Sequence, residues 1–213
     1  MKTFRRSLRI FLFVCFVSFA VPSSGATSAT KMMLILGDSL TAGYGLDDPA
    51  TEAFPARLQQ LLNKAGASWR VVGAGLSGDT TAGGLRRVDW ALRQPVDLFV
   101  LALGGNDGLR GLSPAATRAN LDGILAKVRA KYPAAKLVVA GMQMPPNLGA
   151  DYLDAYRAVF PAAAQAAGAT LIPFLLEGVG GVPELNQPDG IHPTAKGHAR
   201  VAETLWRELR AWL

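Results

Sequence analysis

Four short polar blocks in this chain hold, between them, every group that acyl transfer requires. Gly37-Asp38-Ser39-Leu40-Thr41-Ala42-Gly43 places a hydroxyl where an apolar run gives way to a turn, a setting that leaves backbone N–H groups free and can expose a nucleophile. A serine hydroxyl reacts only when a base takes its proton, and Pro188-Asp189-Gly190-Ile191-His192-Pro193 supplies one. With acid and imidazole three residues apart, one tight turn lets Asp189 hold the His192 Nδ1–H and leaves Nε2 for the serine proton. Gly75-Leu76-Ser77-Gly78-Asp79-Thr80-Thr81 offers the Gly78 N–H as an oxyanion donor, with Asp79 expected to cap the helix that follows. In Gly104-Gly105-Asn106-Asp107-Gly108, the Asn106 amide can donate two hydrogen bonds without adding a charge that would tie up the nucleophile.

Each block has a plainer reading when taken alone. Asp38 and Ser39 could simply cap a helix, and Gly78 and Asn106 are ordinary turn residues. His198 earns only the reading of a cap or a packed polar side chain. The coincidence of nucleophile, base, orienting acid and oxyanion donors is what points to acyl transfer.

The elements between these blocks must bring them together. Five apolar runs, at 32–36, 69–72, 98–103, 137–140 and 170–174, read as buried parallel strands. Segments 54–65, 80–92, 114–131 and 152–167 have the length and composition of crossover helices. A last helix is expected over 193–212, with Pro193 at its first position and Ala199, Ala202, Leu205, Trp206 and Leu209 forming its apolar stripe. Alternating strands and helices predict a three-layer α/β/α sandwich on a five-stranded parallel sheet. Ligands in such sheets bind outside the carboxyl ends of the strands, and the first three blocks directly follow apolar runs. No insertion is long enough for a lid. The cleft is therefore expected to be open and shaped by the loops around Leu109 and 142–148, with Leu109, Pro145 and Leu148 contacting substrate.

Composition narrows the field of functions. Lys2, Arg5, Arg6 and Arg9 precede an apolar run of about a dozen residues and a small-residue stretch, which reads as a secretory signal peptide over residues 1–26. That run is shorter than the roughly 20 residues a spanning helix needs, so no stable membrane span is expected and 27–213 read as one domain, periplasmic or secreted. Removing the leader takes away four cations and no acids, leaving 18 basic against 16 acidic residues, a charge of +2. No basic stripe remains to suggest nucleic acid. Cys15, the only cysteine, lies in the leader, which excludes thiol catalysis. With His192 and His198 the only histidines, neither a metal site nor a cofactor is expected.

Gly37-Asp38-Ser39-Leu40 with Gly43-Tyr44, Ser77-Gly78-Asp79-Thr80, the stretch from Gly104-Gly105-Asn106-Asp107-Gly108 through Leu109-Arg110-Gly111, and Asp189-Gly190-Ile191-His192-Pro193 together resemble the SGNH, or GDSL-type, hydrolases. The likeness is to the bacterial thioesterase I/lysophospholipase L1/arylesterase branch. It implies a flavodoxin-like sandwich, Ser39 as nucleophile, Asp189 and His192 as its partners, and an oxyanion hole of Ser39 N–H, Gly78 N–H and the Asn106 side chain. The Gly-x-Ser-x-Gly elbow of α/β-hydrolases is absent around Ser39. The implied substrate is a small ester or thioester; a carbohydrate acetylesterase and a non-catalytic exported binding protein are the alternatives.

Overall fold

A computed structural model describes residues 29–213, so the expected leader, residues 1–26, lies outside the described residues. In chain order the elements are β1 (Lys31–Gly37), α1 (Ser39–Ala42), α2 (Pro49–Glu52), α3 (Phe54–Lys64), β2 (Trp69–Gly75), α4 (Thr81–Ala91), β3 (Leu98–Ala102), α5 (Gly105–Leu109), α6 (Pro114–Lys131), β4 (Lys136–Ala140), α7 (Ala150–Ala167), β5 (Thr170–Ile172) and α8 (Ala195–Leu209). The strands form one parallel sheet in the order β2-β1-β3-β4-β5. This is the flavodoxin-like order, with its reversal point between β1 and β3.

The continuous apolar runs follow from helices covering both faces. Alternate residues of β1 point to opposite sides. Leu34 and Leu36 join a core with Leu121, Ile124, Tyr156 and Phe160 of α6 and α7, while Met33 and Ile35 pack with Leu58, Leu62, Val201 and Leu205 of α3 and α8. The result is the expected three layers. Among the described residues no helix is long and apolar enough to cross a membrane.

Register decides where the chemistry goes. Gly37 pairs with both Gly75 and Ala102, so β1, β2 and β3 end at one level and release their polar blocks side by side. Several boundaries differ from the pattern, β2 running on to Gly75 and the last helix ending at Leu209, and two of the differences have a clear cause. β5 stops at Ile172 because Pro173 has no N–H to donate to the ladder, which frees Phe174 for a loop. The last helix starts at Ala195, not Pro193: Thr194 is its cap, accepting from Gly197 N–H at 3.3 Å, while Pro193 bridges to Asn186 in extended backbone.

Candidate active site

The nucleophile block turns sharply off β1. Asp38 caps α1 by accepting the Leu40 N–H at 3.0 Å, which makes Ser39 the first helical residue. A Cβ on Gly37 would lie 1.9 Å from Thr41 Oγ1, so only glycine lets α1 fold back this tightly on the strand end. Ser39 Oγ lies 2.9 Å from His192 Nε2, and His192 Nδ1 lies 2.7 Å from Asp189 Oδ2. The other carboxylate oxygen of Asp189 accepts the N–H of Ile191 and of His192, both at 3.0 Å, closing a turn through Gly190 at φ 74°. Partial burial pushes the Asp189 pKa up. The His192 N–H, the His192 ring and the Ile191 N–H outweigh it and hold the carboxyl below its ordinary range.

Gln187, which the sequence patterns did not single out, stitches this turn to the nucleophile side. Its N–H donates to the His192 carbonyl at 2.7 Å, and its Nε2 donates to Tyr44 O at 2.8 Å and Pro193 O at 2.9 Å. The Tyr44 ring sits 4.7 Å from the His192 ring. Nothing but the fold could reveal Gln187, since glutamine carries no spacing signal of its own.

Across the reversal point, Asn106 Nδ2 donates to Asp79 O at 2.9 Å and faces Asp38 Oδ2 at 3.5 Å. Among the described residues the Gly78 N–H has no backbone partner, and Gly78 holds φ 78°, a left-handed conformation suited to glycine. Asp79 does not cap α4, as its position suggested. Its carboxylate is taken by Arg87 at 2.7 Å, and Thr80 provides the cap through Gly83 N–H. Asp107 is fully buried and accepts from Thr81 N–H at 2.9 Å and from the Thr81 hydroxyl, anchoring α5 to α4. Asp38, also buried, has its pKa pushed up to about 6 by desolvation, against the pull of the Leu40 N–H and of His192.

Asp38, Ser39, Asn106 and His192 border a cleft of about 420 Å³, whereas Gly78 and Asp189 are not among its lining residues. Leu109 and Pro145 line it, together with Met142, Met144, Phe174 and Ile191. Leu148 does not line it: it ends the short turn Pro146–Leu148, just past the stretch whose side chains face the cleft. A hydroxyl touching an imidazole that is oriented by a carboxylate, with free N–H groups alongside, can attack a carbonyl and hold the oxyanion that forms.

His198 stands apart from this chemistry. It is buried on α8, where Nδ1 accepts the Phe54 N–H at 3.2 Å, and burial, with a smaller push from His192, drives its pKa down to about 4 from 6.5. Between those values the unfolded chain binds the extra proton, so His198 makes stability fall as pH drops from 6.5 toward 4. Asp38 acts in the opposite sense. Raised from 3.8 to about 6, it holds its proton longer in the folded state, and its contribution is lost as pH rises through that window. Removing one of the two exposes the other. A His198→Asn variant, whose amide oxygen can accept the Phe54 N–H, is expected to lose less stability between pH 7 and pH 5 than the parent, by about 2 kcal/mol in urea unfolding. Equal losses in both proteins would refute the assignment of a buried neutral His198.

The parallel sheet and the hydroxyl–imidazole–carboxylate chain at its carboxyl edge define the class: a serine hydrolase acting on ester bonds. The comparisons with known proteins agree. The family described as GDSL-like Lipase/Acylhydrolase matches residues 35–200. Esterase TesA of Pseudomonas aeruginosa is 43% identical over 187 residues, which cover 87% of this chain and 91% of that protein. The Thioesterase 1/protease 1/lysophospholipase L1 of Escherichia coli strain K12 is 37% identical over 201 residues, 94% of this chain and 90% of that one. The crystal structure of TesA superimposes with a TM-score of 0.81 at 43% identity, covering 86% of this chain and all of the other. The chain belongs to the GDSL-like lipase/acylhydrolase family, the SGNH hydrolases.

Proposed function

We propose that this protein is an exported esterase that hydrolyses carboxylic esters and thioesters through an acyl-enzyme on Ser39. His192 takes the hydroxyl proton as Ser39 attacks, and Asp189 fixes the imidazole so that Nε2 faces the nucleophile. Ser39 N–H, Gly78 N–H and Asn106 Nδ2 hold the tetrahedral oxyanion. His192 returns the proton to the leaving group, and a water that it then activates releases the acid. The observation that carries this reading is the 2.9 Å contact between His192 Nε2 and Ser39 Oγ, with Asp189 2.7 Å behind the ring.

Leu109, Met142, Met144, Pro145 and Phe174 make the cleft apolar, which suits acyl and aryl groups better than an acetylated sugar. Short and medium acyl esters, aryl esters, acyl thioesters and lysophospholipids are the substrates proposed, the last two supported by the name of the E. coli relative. Residues 1–26 are the export leader and 27–213 the mature domain, placed in the periplasm or outside the cell. The test is covalent labelling of the mature protein by a fluorophosphonate probe, paired with hydrolysis of nitrophenyl butyrate, acyl-CoA and acetylated xylan. Labelling confined to Ser39 with turnover of the first two supports the reading; release of acetate from xylan alone, or no labelling, defeats it.

A further inference from the structure

Arg87 is absent from the residues that line the cleft, yet its guanidinium joins three parts of the chain that surround the reacting groups. Nε donates to Asp79 Oδ2 at 2.7 Å, Nη1 to Ala74 O at 3.0 Å and Nη2 to Gly37 O at 2.7 Å. Gly37 is the last residue of β1, two before Ser39. Ala74 is near the end of β2, and Asp79 closes the turn that carries Gly78, its N–H bonding Leu76 O at 3.0 Å. One planar group with a rigid fork of donors thus ties the nucleophile's strand to the oxyanion turn. The turn is gripped from its other side too. Asn106 Nδ2 donates to Asp79 O at 2.9 Å, and Arg110 Nη2 donates to Gly78 O at 3.0 Å. Gly78 O and Asp79 O are thus both held, while the Gly78 N–H has no backbone partner among the described residues.

We infer that Arg87 is a positioning residue: by bridging Gly37 O, Ala74 O and the Asp79 carboxylate it sets the separation between Ser39 and the Gly78 N–H before substrate arrives. This rests on the proposed serine mechanism. It also accounts for an arginine, since a lysine ammonium at the same place is a point charge that cannot meet three acceptors in one plane. The side chain is 22% exposed and Asp79 only 7%, so the pair is largely shielded from solvent and its geometry is held.

The test compares Arg87→Lys, Arg87→Ala and Asp79→Asn with Arg118→Met, which removes a surface pair with Asp122 remote from the cleft. Turnover of nitrophenyl butyrate is expressed per active site titrated with a fluorophosphonate, so that unfolded protein is not counted. A misplaced donor costs up to about 10²-fold. The expected result is a fall in kcat of about 10- to 100-fold in Arg87→Lys with KM within about twofold, a fall in the same direction in Asp79→Asn, and no change in Arg118→Met. Added guanidinium at millimolar concentration is expected to restore part of kcat in Arg87→Ala while leaving the parent unaffected. Parent-like kcat per titrated site in Arg87→Lys overturns the inference, as does a loss in Arg87→Ala that guanidinium leaves untouched. Absence of labelling at Ser39 in the parent would instead strike the underlying serine mechanism.

Discussion

Replacing Ser39 by alanine is expected to lower kcat by about 10⁴- to 10⁶-fold while leaving the fold intact. The size of the loss follows from what remains. Without Oγ no acyl-enzyme forms, and His192 and Asp189 have no proton to move, so only cleft binding and the oxyanion donors still act on the substrate. The fold should survive because the only hydrogen-bond partner of Ser39 Oγ among the described residues is His192 Nε2. His192 in turn keeps its hold on Asp189, and the cap of α1 comes from Asp38. The melting temperature is therefore expected to shift by no more than a surface substitution would shift it. Non-additivity gives a sharper check. Ser39→Ala combined with His192→Ala should be no slower than either alone, because the pair acts as one unit. A double variant slower than both singles by the product of their effects would mean that the two side chains contribute separately, and the proposed proton transfer between them would have to be abandoned.

The fold was legible wherever burial is uniform. β1 reads as a strand because six consecutive residues, Met32 to Gly37, are buried between two helical layers, and no amphipathic helix has such a run. What periodicity cannot carry is brevity. α1, α2 and α5 have four or five residues each, about one turn, too few to show a helical repeat. Competition between neighbours also escapes a pattern. Asp79 and Thr80 are both good caps, and Thr80 takes the role while Arg87, about two turns further on, holds the Asp79 carboxylate. Thr194 likewise displaces Pro193 because the Pro193 backbone is extended and bridged to Asn186.

The site divides along the same line. Its charged and nucleophilic members occupy blocks that follow apolar runs or precede the last helix, so chain position alone assigns them to one sheet edge. Its apolar lining does not. Met142, Met144 and Phe174 face the cleft through loop geometry after β4 and β5, and Leu148, expected to contact substrate from the 142–148 loop, falls just beyond the cleft. Side-chain direction in a proline-rich loop depends on local φ and ψ, which hydropathy does not encode.

Asn106 brings the second large effect, and its environment predicts more than a simple loss. Asn106→Ala should lower kcat by about 10²- to 10³-fold, or about 3 to 4 kcal/mol of transition-state stabilisation, with KM nearly unchanged because the oxyanion exists only on the reaction path. The same side chain also holds Asp79 O at 2.9 Å, so truncation loosens the Gly78 turn and takes the second donor partly with it. Asn106→Asp separates the two contributions. It keeps the volume but sets a carboxylate where the amide stood, 3.5 Å from Asp38 Oδ2 and beside the developing oxyanion. Like charges at that distance oppose the transition state and leave Asp79 O without its donor. Asn106→Asp is therefore expected to be slower than Asn106→Ala at neutral pH and to recover part of the difference in acid, where one of the paired carboxyls takes up a proton. Steady-state rates of both variants between pH 5 and 8, each referred to the parent at the same pH, measure this directly. Rates for Asn106→Ala within tenfold of the parent would remove Asn106 from the oxyanion hole.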